Sequence, residues 1–354
     1  MAKGVRRRPT IIDVAARAGV SKSTAARVLA GGASSSETAR ARVLATAKAV
    51  GYERNDLAVG MRSGRSGLLA LVIPDIANPF WAEVARGAQD CAFEGELSLL
   101  VFSSDWDAAH EAAHLRALRR ARVDGAIVNP VADRLVGDGV DDLGRFGLPF
   151  VLIGSAAERF SGVESVGSDI AQGVALGMDH LVAKGHEAPA LILGTAPRLA
   201  RARFVNAVRA HCIEREVDPA VLATEDGGYT VEGGQAAMRR LLERHRGGPL
   251  AVFAANDMMA LGALKAVREA GLDCPGDVSI LGFDGIPASG LSWPPLTTIR
   301  KPAREIGRRA VEALRGQIGA GDDPPEPAHL HLPCELVERG SVSDLSSRAG
   351  RGVA

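Results

Sequence analysis

From residue 67 onward the chain carries seven apolar runs of four to six residues, at 68–73, 97–102, 125–128, 150–153, 190–193, 250–254 and 278–281. Segments of helical period are interleaved with them at 81–93, 108–121, 170–184, 204–215, 230–244, 258–270 and 305–315. A short run with no polar alternation suits a strand buried on both faces. Strands alternating with helices predict an α/β fold with parallel sheets. These roughly 270 residues exceed what one hydrophobic core supports, and a chain of 354 residues, at roughly 150 per domain, leads to an expectation of two to three domains.

Composition narrows the function. Apolar residues make up 46% and charged residues 24%, a folded and not a disordered balance. Aromatics are only 4%, which argues against a protein that holds single strands on stacked rings. No apolar run approaches the roughly 18 residues of a membrane span; the run 68–73 ends at Pro74. The basic residues 1–9 lead into no apolar segment of a secretory signal. Cys91, Cys212, Cys274 and Cys334 stand far apart with no C-x-x-C, so neither a zinc site nor a disulfide framework is expected, and a cytoplasmic location is.

The 42 basic and 42 acidic residues balance, but unevenly along the chain. Residues 1–66 hold 13 Lys and Arg against 4 acids, a net +9 that leaves −9 on the rest. A small basic head on an acidic body suggests a polyanion-binding module. Within it, Thr10 and Asp13 form a capping-box pair ahead of Ile11, Val14, Ala15 and Ala18 at helical spacing. Gly19 permits a sharp exit, and Ser21 caps a second helix running to Leu29. Val20, Val28 and Leu29 are placed to bury against the first. A third helix starts near Ser36, with Val43, Leu44, Ala47 and Val50 expected on one face before Gly51. This is the pattern of a helix-turn-helix whose second helix enters a major groove. That helix opens with Lys22, Ser23 and Thr24, with Arg27 one turn on; such donors suit guanine edges and phosphates.

The run Thr10-Ile-Ile-Asp-Val-Ala-Ala-Arg-Ala-Gly-Val-Ser-Lys-Ser-Thr, with Arg27-Val28-Leu29 and Gly51-Tyr52, resembles the head of the LacI/GalR family of transcription regulators. Pro74-Asp-Ile-Ala-Asn-Pro-Phe, Val123-Asp-Gly, Asn256-Asp257, Gly282-Phe-Asp and Pro295-Leu-Thr-Thr extend the resemblance over about residues 10–340, in family order. It implies a helix-turn-helix DNA-binding head at 1–52, a hinge linker at 53–66, an effector-binding and dimerisation body at 67–340, and a flexible tail at 341–354. The body would be of the two-lobed periplasmic-binding-protein-like type I, lobe one at 67–164 plus 299–327 and lobe two at 165–298 plus 328–339. It also implies Lys22, Ser23 and Arg27 on base edges, Thr24 on a phosphate and Ser36 among the DNA contacts. In the linker, Asn55 would start a hinge helix, Ala58 would pack at the hinge pair and Met61 would stand as the minor-groove wedge. The chain departs from the family at Ala25-Ala26, Ala30, Ala39 and Gly60. The implied partners are a palindromic double-stranded operator, a small-molecule effector of carbohydrate type and a second copy of the chain; the tail has no leucine heptad, so a dimer is expected.

The effector is expected between the lobes, at the carboxyl ends of strands. The resemblance places Phe80 and Trp81 against it, although Trp81 is as well suited to the lobe core. Asn256, Asp257 and Asp284 follow apolar strands; they suit ligand hydroxyls, while Asp257 equally suits a helix cap. Arg198, Arg201 and Arg203 surround Ala200, where relatives carry an arginine. They fit either an anionic ligand or a solvated helix face. At Gly154-Ser155 many relatives place an Asp. His180 and His186 look structural. No catalytic triad, phosphate loop or metal motif is present in the sequence, so no enzyme, cofactor or metal is expected. A ligand-responsive regulator, most simply a repressor, is the leading reading. A sugar-uptake binding protein, a sugar-acting enzyme and a DNA-binding protein with a vestigial effector site are the other three.

Overall fold

The computed structural model describes residues 9–29, 31, 36–52, 65–131, 147–154, 162–195, 199–320 and 326–346. The chain divides into two units, residues 1–66 and 67–354.

In the first unit, α1 (Ile11–Ala18), α2 (Lys22–Leu29) and α3 (Glu37–Val50) follow one another through two turns. The start of α1 is fixed reciprocally: Thr10 Oγ1 accepts from the Asp13 amide at 3.4 Å, and Asp13 Oδ2 accepts from the Thr10 amide at 2.7 Å. Gly19 ends it in the left-handed region, φ 64°. Ser21 Oγ and Ser36 Oγ accept from the Thr24 and Ala39 amides, at 3.1 and 3.4 Å, and so cap α2 and α3. Among the described residues the unit's buried core holds Val14, Ala15, Ala18, Ala25, Val28, Val43 and Ala47, with Ile11, Val20, Leu29, Val50 and Tyr52 packed against them. Leu44 was expected on that face but is 46% exposed. It follows Val43 by one residue, about 100° around the helix, and so turns outward.

The second unit holds two six-stranded sheets. One contains β1 (Leu68–Ile73), β2 (Ser98–Ser103), β3 (Gly125–Val128), β4 (Phe150–Ile153), β5 (Ser165–Ser168) and β11 (His329–Leu332), all parallel, in the order β11-β5-β4-β3-β1-β2. The other contains β6 (Ala190–Leu193), β7 (Thr224–Asp226), β8 (Leu250–Ala254), β9 (Val278–Asp284), β10 (Thr297–Arg300) and β12 (Glu335–Val337), in the order β12-β10-β9-β8-β6-β7. There β12 alone runs antiparallel. Helices α4 (Pro79–Glu94), α5 (Ala108–Ala121) and α10 (Ala303–Ala320) cover the first sheet. The second is covered by α6 (Ile170–Ala183), α7 (Leu199–Glu214), α8 (Val231–Arg244) and α9 (Asp257–Glu269). Each sheet has apolar cores on both faces, which is what unalternating strand sequences require.

Three points correct the sequence expectation. The run 97–102 forms an edge strand at 98–103, with Ser98 and Val101 exposed, because it pairs only with β1. Ser165–Ser168 and His329–Leu332, expected in lobe two, pair with each other in the first sheet. Residues 299 and 300, expected in lobe one, belong to β10 of the second sheet, where Ile299 stands opposite Phe283. These strands read SVGS, HLHL and TTIR; they lack an uninterrupted apolar run, so hydropathy gives no sign of them. The chain thus passes between lobes three times, at β5→α6, β10→α10 and β11→β12.

Candidate functional site

In the head, the outward side of α2 carries Lys22, Ser23 and Arg27, all exposed, and no acid stands in its first turn. Thr24 is half-buried. The hydroxyls of Ser23 and Thr24 share hydrogen bonds with Ser21 Oγ at 2.9 and 2.8 Å, so the helix start is a pinned hydroxyl cluster flanked by two exposed cations. Ser36 is exposed, with its Oγ on the α3 amide of Ala39. Asn55, Ala58 and Met61 lie outside the described residues.

In the body, a cleft of about 940 Å3, its open mouth included, lies between the two lobes. It is built at the carboxyl ends of strands, as open α/β sheets favour. From lobe one come Asn78, Phe80 and Trp81 after β1, Trp106 after β2, Asn129 after β3, Gly154 after β4 and Ser168 at the end of β5. From lobe two come Phe204 on α7, Tyr229 after β7, Asn256 after β8 and Asp284 ending β9, with Lys301 following β10.

Its charged centre is a single pair. Lys301 Nζ donates to Asp284 Oδ1 at 2.8 Å, and both side chains are largely buried, 15% and 6% exposed. The ammonium also stands 3.6 Å from the centroid of the Phe80 ring, a cation–π contact. Burial pushes the Asp284 carboxyl above the ordinary range, opposed by Lys301 and by a hydrogen bond with Asn78. Asp284 has φ 119°, in the left-handed half of the map, a strained backbone of the kind found at binding sites. Asn256 works locally: its Oδ1 accepts from the Met259 amide at 2.9 Å, capping α9, and its Nδ2 donates to the Tyr229 carbonyl at 3.1 Å. Tyr229 of lobe two stacks on Trp106 of lobe one, centroids 4.7 Å apart and planes at 11°. Gly194 leaves room for this, since a Cβ there would lie 1.9 Å from the tyrosine ring.

Residues 10–55 match the family described as "Bacterial regulatory proteins, lacI family", and residues 178–342 match "Periplasmic binding protein-like domain". The "HTH-type transcriptional regulator MalR" of Streptomyces coelicolor is 33% identical over 359 aligned positions, covering 96% of this chain and 98% of the relative. The solved "Lac repressor dimer bound to operator and the anti-inducer ONPF" superposes with a TM-score of 0.83 at 26% identity, over 95% of this chain and all of that one. A "transcriptional regulator CelR-cellobiose complex" gives 0.67 at 28%, over 94% of this chain and all of that one. The chain belongs to the LacI family. It is a transcriptional regulator, not an enzyme.

Within this LacI-family regulator the expected effector residues fare unequally. Phe80 and Trp81 line the cleft and, 4% and 7% exposed, also pack edge-to-face in the core of lobe one at 5.0 Å. Asn256 and Asp284 line the cleft. Asp257 does not. It is wholly buried behind the wall and accepts from the Ile286 amide at 2.9 Å, and from Ser289 Oγ and Thr298 Oγ1 at 2.6 Å each. The cap role falls to Asn256. Arg201 is also elsewhere, bound to Asp226 and to the Gly194 carbonyl. Arg203 is half-buried and not among the lining residues. Arg198 and Ser155 lie outside the described residues. Ala200 and Phe204, four apart, line the cleft, while Arg201 and Arg203 flank that face, each about 80° around the helix from its centre.

Sequence reasoning missed Lys301, Trp106, Tyr229, Asn78, Asn129 and Ser168. Asn129 and Trp106 had one available signal, their place shortly after an apolar run; Lys301 had none, since β10 carries no such run. His186 Nε2 bonds the Ser343 carbonyl at 3.0 Å, a structural contact. Among the described residues no group of three His, Cys, Asp or Glu is arranged for a metal, and no helix is long and apolar enough to cross a membrane.

Proposed function

We propose that this regulator binds a palindromic operator as a homodimer, and that an uncharged small carbohydrate in the cleft sets its affinity for that operator, so that it acts as a repressor. The observation that carries the reading is the cleft's charge. Its only charged lining residues among the described ones, Asp284 and Lys301, neutralise each other; Arg201 is held by Asp226, and Arg203 is not among the lining residues. Amides, hydroxyls and aromatic faces make up its remaining polar and ring lining, the chemistry that takes hydroxyls on one side and an apolar ring face on the other. The operator, the dimer and the anti-inducer named for the Lac repressor structure, and the cellobiose named for CelR, support it.

In this reading Lys22, Ser23 and Arg27 contact base edges and Thr24 and Ser36 the backbone, with Asn55, Ala58 and Met61 forming the hinge contacts. Phe80, Trp81, Asn256 and Asp284 hold the effector, whose binding changes lobe closure and biases the hinge. Such coupling is typically about 1–3 kcal/mol and reciprocal.

The test is fluorescence anisotropy of a labelled palindromic duplex with the full chain, with and without maltose, cellobiose or ribose. A sugar should shift the midpoint, and Arg27→Ala should weaken specific binding by roughly 1–3 kcal/mol while narrowing the gap to a scrambled duplex. Identical curves with every sugar would remove the effector reading; an unchanged preference in Arg27→Ala would remove Arg27 from the base contacts.

A further inference from the structure

We propose that Ser168 is a ligand-binding residue, its hydroxyl bonding a hydroxyl of the carbohydrate at the point where the chain first leaves lobe one for lobe two. The proposal rests on the carbohydrate reading above.

Ser168 closes β5, is 6% exposed and lines the cleft. Its Oγ is buried and has no hydrogen-bond partner among the described residues. Every other buried serine described does have one. Ser104 Oγ donates to the Ile73 carbonyl, Ser165 Oγ meets His329 Nδ1, Ser279 Oγ meets Ser343 Oγ, Ser289 Oγ donates to Asp257 and Ser341 Oγ donates to the Ile280 carbonyl. A buried hydroxyl left unpaired is costly and rare in native proteins. One that faces a cleft has its partner supplied from the cleft.

The backbone around it is already fixed. Ser168 stands opposite Leu332 in the β5–β11 register. The next residue, Asp169, donates its amide to the Leu332 carbonyl at 2.8 Å and accepts from the Gln172 amide at 2.9 Å. The Asp169 carbonyl accepts from Cys334 Sγ at 3.4 Å. The first and third passages between lobes are thereby stitched together, and Ser168 and Ile170 face the cleft from either side of the stitch. The backbone that carries the hydroxyl is thus held before a ligand arrives, which leaves little of it to be ordered on binding. A serine hydroxyl both donates and accepts, and so suits a sugar hydroxyl of either polarity.

The experiment compares the parent chain with Ser168→Ala and Ser165→Ala, by thermal unfolding alone and by titration with maltose, cellobiose and ribose. For a sugar that the parent binds, Ser168→Ala should bind it roughly threefold to tenfold more weakly, with an unliganded Tm equal to or above the parent's. Ser165→Ala removes a paired hydroxyl and should do the reverse, lowering the unliganded Tm while leaving affinity unchanged. Equal sugar affinity in Ser168→Ala and parent overturns the assignment and leaves the carbohydrate reading standing. A drop in the unliganded Tm of Ser168→Ala as large as that of Ser165→Ala also overturns it, by giving the hydroxyl a structural partner. No response of the parent to any of the three sugars overturns the carbohydrate reading and this assignment with it.

Discussion

Asp257 shows how a residue singled out for one role can be held for another. It is enclosed by three donors, yet burial first, and the like charge of Asp284 second, push its carboxyl up to about 7. In the unfolded chain the same group ionises near its ordinary value of about 3.9. Between those values the native state holds the extra proton, so stability falls as pH rises from about 4 to 7 and levels above that window. Asp257→Asn should flatten that part of the profile, a change of a few kcal/mol at most, read by urea unfolding at a series of pH values. A parent whose stability does not decline across the window would show that Asp257 ionises normally. The strand-end position of Asp257 was visible in the sequence. Its direction was not, because the donors that enclose it arrive from residues 286, 289 and 298, far along the chain.

Among the helices, those with explicit start and stop residues were the most legible. Thr10, Asp13 and Gly19 bracket α1 as their chemistry requires. The buried residues of the head core are valines and alanines, with Ile11, Val20, Leu29, Val50 and Tyr52 packed against them, a small core beside which the cap bonds count. Thr10→Ala should cost about 1 kcal/mol, seen as faster hydrogen exchange of the α1 amides in the full chain, with exchange in the body strands unchanged. Equal protection in both would mean that the reciprocal bonds contribute nothing. Strands sort the same way. β1, β3, β4, β6 and β8 coincide with apolar runs, whereas β5, β7, β10, β11 and β12 are short and polar. Pairing with an existing sheet, not their own hydropathy, makes these last five strands. The cleft followed suit. That loops after strands would line it was readable, but the Asp284–Lys301 pair and the Trp106–Tyr229 stack exist only once two sheets face each other.

For the molecule as a whole, an unused apolar surface remains. Leu291 and Trp293, on one loop of lobe two, are 86% and 81% exposed, and neighbouring apolar groups of that size mark association sites. We expect this loop to belong to the dimer face. Trp293→Glu should shift the chain toward monomer in sedimentation velocity and weaken operator binding, while each lobe keeps its Tm; a dimer of unchanged stability would place the face elsewhere. The three passages between lobes carry a different consequence. The outermost strand of the first sheet, β11, is made after every strand of the second sheet but β12, so the half of the body that is synthesised first stays unfinished until almost the end of translation. A frameshift or stop codon shortly before His329 would therefore strip an edge from a layer begun some 260 codons earlier, and neither lobe can be excised as a freestanding piece by a single cut.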